Sequence, residues 1–200
     1  MKALIERYRK VGTAQVSDAQ RRLGLTSLVM NSGLRPVWPV EKLVGPAYTG
    51  YAPPGTSVCD QALNQAPPGW VLVLSAEGQT EYILWGEQYS ARARLKGLAG
   101  LVLDGAVRDV DGIARLQFPV YARSITPRAV ALARSEQVEI PLVCGGVLVY
   151  PGDLIVADQD GIVVVRREEA ERILEVAEEI EAREAAVLHA ALQELEKKGG

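Results

Sequence analysis

Residues 70–75 read WVLVLS, residues 86–100 read GEQYSARARLKGLAG, and residues 101–109 read LVLDGAVRD. The first stretch is a continuous apolar run, rich in β-branched residues and bounded by turn formers, which is the pattern of a buried strand. Gly86 opens a helix over Glu87–Lys96, and Gly97 and Gly100 end it. Leu101–Asp104 is the next buried strand. Strand, helix and strand in this order predict a βαβ crossover and hence a parallel α/β sheet.

Working outward, Leu43–Tyr51 reads as a strand that Pro53, Pro54 and Gly55 break. Val58–Ala66 reads as a short helix closed by Pro67, Pro68 and Gly69. Leu4–Leu23 reads as helical, with Ser17 and Asp18 able to cap its last part, Ala19–Leu23. Pro119–Ala122 is a further short strand. Val147–Val149 and Leu154–Ala157 flank Pro151-Gly152-Asp153, a hairpin-like turn, and Ile162–Val165 follows the turn signal Asp160-Gly161. Glu168–Lys198 reads as one long helix. With no repeat and no low-complexity linker, the expectation is a single α/β domain over residues 1–166 and a C-terminal helical extension over 167–200.

Composition removes several function classes. The chain has 200 residues, 48% apolar and 24% charged, as in folded globular proteins. Its 22 Lys and Arg are outnumbered by 25 Asp and Glu, so broad binding to nucleic acid is not expected. The start, MKALIERYRKVG, carries no apolar h-region. The longest apolar stretch, Ile140–Ala157, is broken by Pro141, Gly145, Gly146, Pro151, Gly152 and Asp153, so no membrane span is expected. Cys59 and Cys144 are too few for a disulfide framework, and a cytoplasmic protein with reduced thiols is expected. A single histidine, His189, excludes a multi-His zinc site within one chain. A metal here would be held by carboxylates and water, which selects Mg²⁺ or Mn²⁺.

Three groups of residues carry possible chemistry. Arg108 and Asp109 follow a buried strand and a glycine turn, where ligands bind in open α/β sheets. Arg108 offers a planar fork for a carboxylate or enolate oxygen, and Asp109 a hard oxygen ligand for a divalent cation. The same pair also reads as a surface salt bridge. Gly86, Glu87 and Gln88 begin a helix whose first N–H groups can cradle a carboxylate. Glu87 there also reads as a favourable charge against the helix dipole. Glu184 interrupts an apolar stripe of Ile173, Ala177, Ile180, Val187 and Ala191, either as a carboxylate reaching across an interface or as the wet edge of a stripe that ends early. Asp158-Gln159-Asp160-Gly161 reads as a turn and Cys59 as a packed thiol.

Gly86-Glu87, then 20 residues, then Arg108-Asp109 resembles the D-x20-R-D signature of the class II 4-hydroxy-4-methyl-2-oxoglutarate/4-carboxy-4-hydroxy-2-oxoadipate aldolases. That RraA-like family also contains the regulators of ribonuclease E activity A. The resemblance covers most of the chain. Further ordered matches are Val44–Thr49, Leu103–Asp111, Phe118–Arg123, Thr126–Arg128, Pro151–Asp153 and Ala157–Val165. One departure stands out: position 87 is Glu where the signature has Asp. The resemblance implies a three-layer β/β/α swivelling-domain fold, assembled as trimers or hexamers, with the C-terminal helix at a subunit interface. It implies cleavage of a 4-hydroxy-2-oxo acid to pyruvate with Mg²⁺ or Mn²⁺, and decarboxylation of oxaloacetate as a side activity. In that scheme Asp109 holds the metal and Glu87 one of its waters. Gly86, Glu87 and Gln88 bind the pyruvyl carboxylate, and Arg108 stabilises the enolate. Glu184 reaches a neighbouring subunit's site. The alternative is a non-catalytic regulator that binds a ribonuclease or other protein partner. A methyltransferase is disfavoured, because no glycine-rich nucleotide loop follows an early strand.

Overall fold

A computed structural model describes residues 1–199; Gly200, the last residue of the expected extension, lies outside the described residues. Two helices, α1 (Lys2–Tyr8) and α2 (Thr13–Arg22), precede the short strand β1 (Arg35–Pro36) and the long strand β2 (Leu43–Tyr51). Next come β3 (Thr56–Ser57), α3 (Cys59–Gln65), β4 (Val71–Ser75), β5 (Ile83–Trp85), α4 (Glu87–Leu95) and β6 (Gly100–Val107). Then follow α5 (Val110–Arg115), β7 (Val120–Ile125), β8 (Ala133–Arg134), β9 (Leu142–Cys144) and β10 (Val147–Val149). The chain closes with β11 (Leu154–Ala157), β12 (Ile162–Val165) and, after a 3₁₀ turn over Arg167–Glu169, α6 (Ala170–Gly199).

The main sheet runs β1-β7-β6-β4-β2-β11-β12, with β5 beside the far end of β6. Strands β2, β4, β6 and β7 are mutually parallel, so their carboxyl ends share one edge of the molecule. Alternation along the strands separates two apolar faces. On β2, Leu43 and Ala47 point to one side and Val44 and Tyr48 to the other. The first side is covered by the β9–β10 hairpin, through Leu142, Cys144, Val147 and Val149. The second is covered by helices: α3, α4 and α5 over β4 and β6, and α1, α2 and α6 over β11 and β12. Hairpin, sheet and helices are the three layers of the expected α/β fold.

Four local readings change. The span Leu4–Leu23 is two helices, because the chain turns after Tyr8 and Gly12 takes the N-cap of α2. Ser17 therefore sits inside α2 and meets Ser27 through its hydroxyl instead of capping. Pro151-Gly152-Asp153 does not join a hairpin: β10 pairs with β9 across Gly145-Gly146, whereas β11 pairs with β2 and β12. Asp153 holds that crossing between layers by accepting the Tyr150 N–H at 2.8 Å and pairing with Arg166. Finally, β6 runs three residues past Asp104, whose charge is met inside the sheet by Arg123.

The last helix has two halves. Ala170, Ile173, Leu174, Ala177 and Ile180 are buried against the sheet. Beyond them Val187, Leu188, Leu192 and Leu195 are exposed.

Candidate active site

The site forms where β5 and β6 end side by side. The Arg108 N–H donates to the Trp85 carbonyl at 3.1 Å, which brings Gly86-Glu87 next to Arg108-Asp109 despite the intervening 20 residues. Trp85 is fully buried and stacks on Tyr89 at 5.0 Å. Its indole N–H donates to Ser90 Oγ at 2.8 Å, and Ser90 Oγ donates to the Gly86 carbonyl at 3.1 Å. One buried chain of hydrogen bonds thus fixes the turn that starts α4. Gly86 is the N-cap, and no side chain caps the helix. The N–H groups of the first turn of α4, before that of Ser90, have no intrahelical acceptor, the condition under which a helix start can bind an anion.

Gly86 matters for the room it leaves, since its extended backbone suits any residue. A Cβ there would lie 2.7 Å from Asp109 Oδ2. The Asp109 carboxylate therefore rests directly on the Gly86 backbone. Asp109 itself adopts the left-handed conformation, φ 59° and ψ 42°, as N-cap of α5. Asp tolerates that region better than most residues, but the conformation is still strained, and such strain gathers at ligand sites. Arg108 Nε donates to Asp109 Oδ2 at 3.2 Å, and both side chains are more than a third exposed. A surface pair of this kind adds little stability. Glu87 lies across the start of α5, with its carboxylate against Gly112. A shallow depression of about 320 Å³ opens beside it, lined by Glu87, Gln88, Ala91, Gly112, Arg115 and Leu116.

Five of the six expected site residues thus lie on two adjoining segments, Gly86, Glu87 and Gln88 on one and Arg108 and Asp109 on the other, with the Glu87 carboxylate turned to Gly112. Glu184 stands apart on α6, exposed, where it accepts a hydrogen bond from Gln15 at 2.6 Å. Of the polar side chains on β7 and just after it, Tyr121 is buried and donates to the Asp158 carbonyl, Arg123 pairs with Asp104, and Arg128 is an exposed partner of Glu81. Cys59 is buried, and burial pushes its thiol up to about 12. Asp158 is a structural anchor: burial raises its carboxyl, but hydrogen bonds from Thr13 and Lys42 outweigh this and hold it below the usual range. Sequence reasoning took in Trp85 with Gly86, Glu87 and Gln88 but missed Ser90 and Gly112.

Among the described residues no three His, Cys, Asp or Glu side chains converge as a closed metal cage. The donor set on offer is two carboxylates, each seated where a glycine leaves room. Hard oxygens with open positions suit Mg²⁺ or Mn²⁺, which keep several waters.

The Aldolase/RraA family model matches residues 13–164. The chain belongs to this RraA-like family. It is 35% identical over 188 residues to a protein of Halalkalibacterium halodurans named "Putative 4-hydroxy-4-methyl-2-oxoglutarate aldolase", covering 92% of this chain and 88% of that one. Among solved structures it resembles a Streptomyces coelicolor protein described as an unusual member of the RraA family of RNase ES inhibitors. That match has TM-score 0.84 and 30% identity, over 92% of this chain and 95% of the other. An uncharacterised Pseudomonas syringae protein matches with TM-score 0.84 and 28% identity, over 96% of this chain and 94% of the other. Among the described residues no helix is long and apolar enough to cross a membrane.

Proposed function

We propose that this chain is a divalent-metal-dependent class II aldolase. It cleaves 4-hydroxy-4-methyl-2-oxoglutarate or a related 4-hydroxy-2-oxo acid to pyruvate and a second oxo acid, and decarboxylates oxaloacetate at the same site in the cytoplasm. The observation that supports this reading is that Gly86, at the uncapped start of α4, lies against Arg108 and Asp109, with Glu87 the next residue along. Asp109 would hold Mg²⁺ or Mn²⁺, with Glu87 beside its water shell. When bound, the cation supplies Lewis acidity at the 2-oxo group.

The remaining work falls to the chain. Backbone N–H groups from Glu87 and Gln88 bind the pyruvyl carboxylate. The Arg108 fork balances the negative charge that develops on the enolate oxygen. Glu87 orients a water that removes the 4-hydroxyl proton as the C3–C4 bond breaks, and a proton returned to C3 completes pyruvate. Oxaloacetate loses CO₂ through the same enolate, so one site serves both reactions.

Glu184 completes the site from a neighbouring subunit in this reading. The exposed apolar half of α6 supports assembly as a trimer or hexamer, since such a face asks for a second surface. Inactive Arg108→Ala and Glu184→Gln chains, mixed, should regain part of the activity. A monomer by light scattering, or full activity in Glu184→Gln, removes Glu184 from the site. The central test is pyruvate release from a panel of 4-hydroxy-2-oxo acids and oxaloacetate. Chelator should abolish it and Mg²⁺ or Mn²⁺ restore it. Full activity in chelator, or a borohydride-trapped lysine adduct, would overturn the reading. The second reading, a regulator that binds a ribonuclease, draws on the Streptomyces relative. It predicts no turnover across the panel and no effect of Asp109→Asn on partner binding.

A further inference from the structure

Gly112 stands inside a helix without a conformational reason. It is buried in the middle of α5, and its φ is not in the left-handed region. Alanine favours such a position and glycine weakens it. The space around it explains the choice. A Cβ at Gly112 would fall 1.9 Å from Glu87 Oε2 and 2.9 Å from both Glu87 Cβ and Cδ. The Glu87 side chain therefore lies over the bare α carbon along its whole length. Its carboxylate is the far end of a flexible chain and would be the first group to leave. Its Cβ, fixed to α4, marks how closely the two helices approach.

We propose that Gly112 is a positioning residue: it forms the seat that holds the Glu87 carboxylate across α5, and it allows the site to work with Glu at this position. A shorter carboxylate would not reach this seat and would depend on it less. The inference rests on the proposed role of Glu87 at the metal's water shell, and names the residue that sets where that carboxylate stands. Gly86 does the same for Asp109, at 2.7 Å, so the two acidic side chains are each placed by a glycine of the opposite segment.

The test is a double-mutant cycle of Gly112→Ala and Glu87→Asp, read by Mn²⁺ binding in calorimetry, by kcat and KM for pyruvate release, and by thermal unfolding of the metal-free protein. Neighbours that orient a metal's water shell typically change affinity or activity by about 10–100-fold when altered. Gly112→Ala in the native chain should weaken Mn²⁺ binding and lower kcat by about tenfold or more on that basis, with KM little changed. In the Glu87→Asp background the same substitution should have an effect several-fold smaller, because the shorter side chain withdraws the carboxylate that makes the 1.9 Å clash and leaves only the Cβ contact at 2.9 Å. The melts should show the same coupling between positions 87 and 112 without any metal. Equal effects in both backgrounds, or a Gly112→Ala protein that binds and turns over like the native one, would overturn the seat. If the native protein neither binds Mn²⁺ nor releases pyruvate, the proposed function fails, and the metal-free melts alone decide the seat: coupling supports it and strict additivity refutes it.

Discussion

Asp104, on β6, and Asp109, just after it, each pair with an arginine, and the two pairs could hardly differ more. Asp104 is buried; one of its oxygens takes the Arg123 Nε–H and the other takes the Gly145 N–H at 2.8 Å. It joins β6 to β7 and to the turn of the β9–β10 hairpin, so it stitches two layers together. Asp109 is exposed, strained and loosely paired with its own neighbour Arg108. In the first pair both carboxylate oxygens of Asp104 are engaged by the fold. The second keeps lone pairs and guanidinium donors to spare, which is what a ligand site needs. Equal chemistry in the sequence thus serves structure in one place and is left free for the proposed function in the other, and saturation of the carboxylate separates them.

Substitution at each Asp breaks the comparison most directly. Asp109→Asn keeps the shape and tolerates the left-handed backbone, so stability should stay within about 0.5 kcal/mol of the native protein. Turnover of oxaloacetate should fall by ~10²–10³, the scale of losing one preorganised electrostatic contact. Near-native turnover would strip Asp109 of its role. Asp104→Asn should do the reverse. It leaves Arg123 without its counter-charge in a half-buried place and should cost about 3 kcal/mol by denaturant unfolding. A loss below about 1 kcal/mol would show that the buried pair is dispensable. Protein that remains folded should keep its kcat.

Arg108→Lys sharpens the same contrast at the cation. Lys keeps the charge and loses the planar fork. A fall of ~10² in kcat with an unchanged circular dichroism spectrum is expected if the fork meets the enolate oxygen. A loss under about tenfold would mean that charge alone suffices there.

The sequence made the central crossover legible because buried parallel strands are continuous apolar runs and glycines bracket the helix between them. It also exposed Arg108-Asp109 and Gly86-Glu87, since charge directly after a buried strand is visible as such. What it hid was pairing at a distance. Asp104 ended a strand in the reading because its partner Arg123 lies 19 residues away. β10 looked like the arm of the wrong hairpin because Asp153 and Arg166, which turn the chain from one layer to the other, are unremarkable in one dimension. Glu184 fell in an apolar stripe, yet within the single chain its contact is Gln15, and a neighbouring subunit is not encoded in any local pattern.

The smallest expected effect tests whether the loose pair owes its geometry to a rigid support. Ser90 is fully buried and serves both Trp85 Nε1 and the Gly86 carbonyl. Ser90→Ala removes the acceptor of a buried indole N–H, a loss of about 1–3 kcal/mol, while alanine's better helix propensity returns about 0.5 kcal/mol. A net destabilisation of about 1–2 kcal/mol should appear in denaturant melts. The Gly86 turn then loosens, and with it the N–H groups proposed to hold the substrate carboxylate. Binding should suffer more than chemistry: KM should rise several-fold, and kcat should move less, because Arg108 and Asp109 hang on β6 and not on α4. If kcat falls as steeply as in Asp109→Asn with KM unchanged, the support acts on the Arg–Asp pair itself, and the division between a rigid scaffold and an unsaturated site has been drawn one residue too far out.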